Sequence, residues 1–261
     1  MLYRGMDRAA LDAAYNNSVA VADSAKIVAG WEARSAKLRA AHPEGMDLRY
    51  GPDERNRIDF FASRRDGPLL VFIHGGYWQN RSKEIFSFIA EGPLAWGINV
   101  ALVGYTLAPQ KRLDGIVAEI RAALTWLGQS ASMLGFRGIY VSGWSAGGHL
   151  TAITVDHPAV KGGLAISGIY DLEPMRLSYI NDKLRLDEAE AKRNSPGPTT
   201  KPLVVVYGAE ELPELRRQSE DYAQLLRGKA VGLPRHNHFT ILEELASPHG
   251  MLTALVRKMT G

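Results

Sequence analysis

The sequence contains no cysteine, which excludes disulfides, thiolate metal sites and a cysteine nucleophile. It also lacks a long apolar run: no stretch approaches the roughly 18 consecutive apolar residues that a membrane-spanning helix needs. The opening Met1-Leu2-Tyr3-Arg4-Gly5-Met6-Asp7 lacks the basic-then-apolar pattern of a signal peptide. Charge of one sign is scarce as well, since 31 basic and 28 acidic residues mix along the chain for a net charge of +3. With no basic face, nucleic acid is not an expected partner. The absences together lead to the expectation of a cytoplasmic protein that engages neither nucleic acid nor membrane. Neither an internal repeat nor a low-complexity tract occurs.

What is present is 261 residues, 46% of them hydrophobic, enough for one substantial core, and a single domain is expected. Residues 1–42 read as a helical extension, with Ile27, Trp31 and Leu38 on one face and Lys26, Glu32 and Lys37 between them, closed by Pro43. Extended runs at 48–50 and 58–61, split by Gly51-Pro52-Asp53, suggest a leading hairpin. Short apolar runs then alternate with longer amphipathic ones. Strands are expected at 69–73, 98–103, 138–141, 163–166, 203–207 and 230–233, and helices at 83–96, 113–127, 146–155, 214–226 and 251–259. The charged segment 172–201 reads as one helix and a loop closed by Asn194-Ser195-Pro196-Gly197-Pro198, a lid or cap insert. Apolar strands separated by amphipathic helices predict an α/β fold, its central sheet mostly parallel and covered by helices on both faces.

Ligands gather at the carboxyl ends of the strands of such a sheet. One of those ends reads Ser142-Gly143-Trp144-Ser145-Ala146-Gly147-Gly148-His149, a Gly-x-Ser-x-Gly pattern between a strand and a helix. A serine at the tip of so sharp a turn sits in strained backbone, and only small residues two positions to either side avoid collision. Its hydroxyl then stands at a helix amino terminus, where free amides favour developing negative charge. Taken alone the pattern is also that of a serine capping a helix; in this setting Ser145 is the expected nucleophile.

A serine hydroxyl needs a base, and the base needs an acid to hold its tautomer, in the chain order serine, acid, histidine. The strand at 203–207 is followed by Gly208-Ala209-Glu210-Glu211, and the strand at 230–233 by Pro234-Arg235-His236-Asn237-His238-Phe239. His238 is preferred, because Phe239 and Ile241 beyond it suggest a packed helix start, with His236 a solvated loop residue. His42 and His157 read as exposed loop or helix-end residues. A metal site on His236 and His238 lacks nearby third and fourth ligands. Among the carboxylates Glu211 is preferred to Glu210, and Glu214 belongs to the following helix, where it suits the dipole.

His74-Gly75-Gly76-Tyr77-Trp78 closes the strand at 69–73. Paired glycines let the chain turn tightly enough for backbone amides to face an oxyanion, complementing the amide of Ala146. His74 reads as a buried brace for this loop and Trp78 as core. Tyr77, Trp144 and Tyr170 are candidates to line an aromatic pocket for a small-molecule substrate.

His-Gly-Gly-Tyr-Trp, Gly-Trp-Ser-Ala-Gly-Gly-His and the later Asn-His-Phe together resemble the α/β-hydrolase superfamily, and within it the kynurenine formamidase (arylformamidase) group with its HGGxW signature. Tyr105-Thr106-Leu107-Ala108-Pro109 is similar to an element of the hormone-sensitive-lipase-like esterases, and Tyr3 to Asp7 with Tyr15-Asn16-Asn17 looks like bacterial members. The resemblance implies an oxyanion hole built from the amides of Gly76 and Tyr77, and no metal or cofactor. It implies hydrolysis of N-formylkynurenine to kynurenine and formate, or of a small ester or carbamate. The family's acid is usually aspartate, three residues after a strand-end glycine. That position is Glu211 here, counted from Gly208, and the change to glutamate keeps Glu210 in play. A homodimer stays open.

Overall fold

The computed structural model describes residues 1–261. Eight strands form one sheet: β1 (Leu48–Arg49), β2 (Arg57–Phe61), β3 (Gly67–Ile73), β4 (Asn99–Val103), β5 (Phe136–Trp144), β6 (Val160–Ile166), β7 (Leu203–Gly208) and β8 (Val231–Leu233). Their order across the sheet is β1-β2-β4-β3-β5-β6-β7-β8. β1 and β2 are a hairpin that joins β4 antiparallel, and every other pairing is parallel. The helices are α1 (Arg8–Ala14), α2 (Asn17–Ala20), α3 (Ser24–Ala41), α4 (Glu91–Leu94), α5 (Leu113–Leu134), α6 (Ala146–Thr154), α7 (Glu173–Leu177), α8 (Asn181–Leu184), α9 (Glu188–Asn194), α10 (Pro213–Leu225), α11 (Glu243–Ala246) and α12 (Met251–Thr260). This is the α/β-hydrolase fold expected from the sequence. No helix is long and apolar enough to cross a membrane.

The apolar run of β3 shows why the sheet is covered on both faces. Leu69, Val71 and Ile73 point into one core cluster, with α5 and α6, while Leu70 and Phe72 point into the other, with α3, α11 and α12. Because side chains alternate along a strand, a strand buried on both sides must be apolar throughout. Helix α5 ends on Gly135 in the left-handed region (φ 71°), a conformation glycine adopts without Cβ strain, and the chain turns directly into β5.

Two expected elements differ from the structure. Residues 83–96 are not one α-helix: a 3-10 helix, Lys83–Ala90, runs into the short α4. Pro93 has no amide to continue a helical ladder. Gly92 lies where a Cβ would stand 2.2 Å from the Leu245 carbonyl, so α11 packs directly on this backbone. Lys83 itself is buried and donates to Asp47, Asp59 and Glu84 at 2.7 Å each. Segment 172–201 holds three short helices rather than one, because separate signals start and stop them: Pro174 in the first turn of α7, Arg185 in the left-handed region after α8, and Asp187 capping the Glu190 amide of α9 at 2.8 Å.

The first 45 residues pack with both core clusters, Leu11 and Tyr15 with one and Trp31 with the other. Trp31 stacks on Phe88 with centroids 5.2 Å apart and meets Trp144 edge-on at 5.7 Å. Its indole and Arg34 both reach Glu243. Further forward, Tyr15 O–H receives a hydrogen bond from Gln218 of α10, and Tyr3 O–H donates to Asp171 at 2.6 Å.

Candidate active site

Ser145 occupies the one-residue turn between β5 and α6 with φ 59° and ψ −120°, a strained conformation for a residue with a Cβ. The two flanking glycines explain how the turn fits. A Cβ on Gly143 would stand 2.3 Å from the Gly147 carbonyl, and one on Gly147 would stand 1.9 Å from the carbonyl of Ile73. Only hydrogen at both places lets α6 start against the β3 end. Ser145 Oγ makes no hydrogen bond within the chain and lines a cavity of about 290 Å³ that His238 also lines. The Ala146 amide is the first of α6 and has no intrahelical partner.

His238 follows β8 and is 3% exposed. Its Nδ1–H donates to Glu211 Oε2 at 2.9 Å, the carboxylate being the acceptor that sets this tautomer. Glu211 Oε1 accepts from the Gly208 amide at 2.6 Å and from Ser167 Oγ at 2.5 Å. All the polar capacity of that carboxylate is therefore directed by buried donors. Glu210 points to solvent, though its amide donates to the carbonyl of His236 and so helps align the two loops. His236 pairs with Glu244 at 3.1 Å. Ser167 carries no recognisable motif, and its hydrogen bond to Glu211 is visible only in three dimensions.

Loop 74–78 is built for backbone exposure. Gly76 has φ 113°, and a Cβ there would meet the Asn80 carbonyl at 2.2 Å. Tyr77 and Trp78 follow with φ 49° and 58°. The amides of Gly76 and Tyr77 donate to no backbone carbonyl, which leaves two N–H groups beside the cavity. His74 is a buried brace: Nδ1–H donates to Gly75 O at 2.8 Å, and the ring stacks on Tyr105 at 4.3 Å. Burial pushes its pKa down to about 3, so it is neutral. Trp78 is fully buried and donates to His149 Nδ1 at 3.2 Å, while His149 Nε2–H donates to the Asn194 carbonyl at 2.7 Å. One neutral imidazole, its pKa lowered to about 4 by burial, thus ties loop 74–78 to α6 and to segment 172–201. The histidine that ends Gly-Trp-Ser-Ala-Gly-Gly-His was the available signal for this tie.

The aromatic candidates separate. Trp144 lines the cavity and also supports His238: its indole donates to the His238 carbonyl at 2.7 Å and its ring lies 4.7 Å from the imidazole. Tyr77 lines the cavity too, with its hydroxyl donating to Tyr15 O at 2.5 Å and accepting from Asn17. Tyr170 does not reach this cavity. It stacks on Tyr222 at 4.3 Å and lines a different one of about 470 Å³, because its side chain turns toward α10 rather than back over β5. His157 is not exposed either: it is buried and hydrogen-bonded to Thr125 and the Ala159 amide. Asn17, Ser18, Asn80, Arg81 and Phe239 complete the cavity wall; Asn17 and Phe239 belong to the quoted Tyr-Asn-Asn and Asn-His-Phe elements, whereas no motif singled out the other three.

Comparison with known proteins is consistent along almost the whole chain. The sequence profile of the alpha/beta hydrolase fold matches residues 70–236. Kynurenine formamidase of Danio rerio is 32% identical over 259 residues, covering 90% of this chain and 88% of that protein. Kynurenine formamidase of Salmo salar is 35% identical over 242 residues, covering 83% and 82%. Among solved structures, a thioesterase candidate from Silicibacter sp. superposes with a TM-score of 0.87 at 29% identity, covering 95% of this chain and 98% of that one. The chain belongs to the α/β-hydrolase family, on the branch that carries the kynurenine formamidases, and is a hydrolase.

Proposed function

We propose that the protein is an arylformamidase, a serine hydrolase that cleaves N-formylkynurenine to kynurenine and formate. The observation that supports this most directly is the meeting of Ser145, the Glu211-held His238 and two undonated loop amides on one cavity, in a chain that shares 35% identity with the Salmo salar formamidase. At about 290 Å³ the cavity lies near the lower end of small-molecule sites and suits a one-carbon acyl group on a single-ring leaving group.

In the proposed mechanism His238 Nε2 takes the Ser145 proton as Oγ attacks the formyl carbon, and Glu211 stabilises the imidazolium. The amides of Gly76, Tyr77 and Ala146 hold the oxyanion, each contributing about 2.7 to 4 kcal/mol to the transition state. His238 then protonates the aryl amine as the C–N bond breaks, leaving formyl-Ser145. Water, deprotonated by the same imidazole, attacks the formyl ester; formate leaves and Oγ regains its proton. In this scheme Trp144 holds the base in place and Tyr77 walls the substrate, whereas Tyr170 has no part.

The same machinery serves a small ester or thioester, and the likeness to the Silicibacter thioesterase candidate favours that as the second reading. Turnover of N-formylkynurenine and of p-nitrophenyl acetate by the wild type and by Ser145→Ala separates the two. A large preference for the formamide, abolished by the substitution, is expected; ester turnover with no formamide turnover refutes the first reading.

A further inference from the structure

The cavity at Ser145 has an electrostatic asymmetry that the acyl-transfer chemistry does not use. No aspartate or glutamate lines it, and apart from His238 the only ionisable cation on its wall is Arg81. Several arginines elsewhere hold carboxylates, as Arg34, Arg112, Arg176 and Arg217 do, and others such as Arg49, Arg55 and Arg57 donate to backbone carbonyls. The guanidinium of Arg81 forms no ion pair and no hydrogen bond, although the residue is half-buried. Burial lowers its pKa, and the charge of Glu32 opposes the shift without an ion pair between them. Arginine stays protonated nonetheless, so a positive charge stands partly stripped of water with no carboxylate bonded to it.

Its position is held by the backbone. Arg81 has φ 72°, and its carbonyl accepts from Arg55 Nη2 at 2.7 Å. The stem of the side chain lies against loop 74–78: its Cγ is 3.3 Å from where a Cβ on Gly76 would stand. The cation therefore belongs to the same wall as the undonated amides. The neighbouring Asn80 also lines the cavity, and its side-chain amide makes no hydrogen bond within the chain.

We propose that Arg81, with Asn80 beside it, binds a carboxylate on the leaving-group half of the substrate, so that the site is selective for acyl compounds whose departing amine or alcohol carries an acid group. A guanidinium offers a carboxylate two parallel donors, a geometry that fixes direction as well as charge. The proposal rests on the formamidase reading for its preferred substrate, since the amino-acid end of kynurenine supplies such a carboxylate. It goes beyond that reading in assigning the residue that selects for it.

The test compares carboxylate-bearing substrates with neutral counterparts: N-formylkynurenine against formanilide, and acetylsalicylate against phenyl acetate. For each pair the ratio of kcat/KM is measured in the wild type, Arg81→Gln and Arg81→Lys. The ratio is expected to fall about 10- to 100-fold in Arg81→Gln, mostly through KM, as suits loss of a hydrogen bond to a charged group, and less in Arg81→Lys. A ratio that stays within about threefold of wild type overturns the proposal. Because a variant can misfold, benzoate and benzamide are also compared as inhibitors of the unmodified enzyme: tighter inhibition by benzoate is expected, and equal inhibition overturns the assignment. If the wild type turns over the esters but neither formamide, the formamidase reading fails on its own and the ester pair alone decides Arg81.

Discussion

Replacing Glu211 by glutamine keeps the side chain's length and changes only what its terminal atoms can donate. In the protein Oε1 accepts from the Gly208 amide and from Ser167 Oγ, at 2.6 and 2.5 Å. A backbone N–H cannot turn away, so the glutamine oxygen has to occupy that side. Its NH2 group is then aimed at His238 Nδ1, 2.9 Å from the present oxygen. Two donors cannot share that position, and the imidazole adopts the other tautomer, with its proton on Nε2. In the proposed mechanism that nitrogen must accept the Ser145 proton, so the base is lost while the architecture is kept. An equivalent tautomer swap in serine hydrolases lowers kcat by roughly 10⁴, which at 1.36 kcal/mol per tenfold is about 5.4 kcal/mol of barrier. Glu210→Gln alters a side chain that points to solvent, and kcat should stay within about twofold. The assay is kcat for the two variants and the wild type, with thermal melting to confirm that each is folded. Glu211→Gln retaining more than about a tenth of wild-type kcat, or Glu210→Gln proving the more damaging, would refute the reasoning.

Gly76→Ala forces a Cβ to within 2.2 Å of the Asn80 carbonyl at φ 113°, so the loop must shift and carry its amides away; kcat/KM should drop at least about 100-fold, the typical cost of one misplaced oxyanion donor. Trp78→Phe removes the donor to His149 Nδ1 and leaves a buried acceptor unpaired, which should lower the unfolding free energy by about 1 to 3 kcal/mol, read from the urea midpoint at unchanged slope. Stability should also fall on mild acidification. His74 and His149 have folded pKa values depressed to about 3 and about 4, so below the ordinary histidine value near 6.5 the unfolded chain binds protons that the folded chain refuses. Each site contributes a slope of about 1.4 kcal/mol per pH unit from pH ~6.5 down toward its folded value. Equilibrium unfolding at pH 7 and pH 5 checks this, and a flat profile counts against neutral, buried rings.

The alternation of apolar and amphipathic segments was enough to read the architecture, because strands buried on both faces cannot hide their composition: Leu69 to Ile73 is apolar at every position for a reason that depends on the fold class alone. The turn at Ser145 was equally legible, since hydrogen-only positions at 143 and 147 are demanded by local sterics. Side-chain direction was not. Tyr170 lies just beyond the carboxyl end of β6, yet it turns to stack on Tyr222, and nothing in the run Ser167-Gly168-Ile169-Tyr170 encodes that choice. The helix expected at 83–96 failed because the inward pull of Lys83 and the contact of Gly92 with α11 are tertiary facts. Ser18 and Arg81 escaped notice for a related reason: Ser18 meets the cavity only after the extension has folded back, and a polar residue in a loop, as Arg81 is, looks like a solvent contact until the walls are assembled.

The way residues 3–34 lie across the site has a consequence for biosynthesis. Their anchors come from early and late in the chain: Trp31 packs on Phe88 and Asn17 is held by Tyr77, whereas Tyr15 is also held by Gln218, and Trp31 and Arg34 by Glu243. The ribosome makes this roof before its later supports, so a nascent chain can complete the sheet through β7 while the bonds to Glu243 that fix Trp31 and Arg34 are still missing. Glu211 and His238 also follow the roof in the chain, so their pairing is completed in the same stretch of synthesis that supplies Gln218 and Glu243.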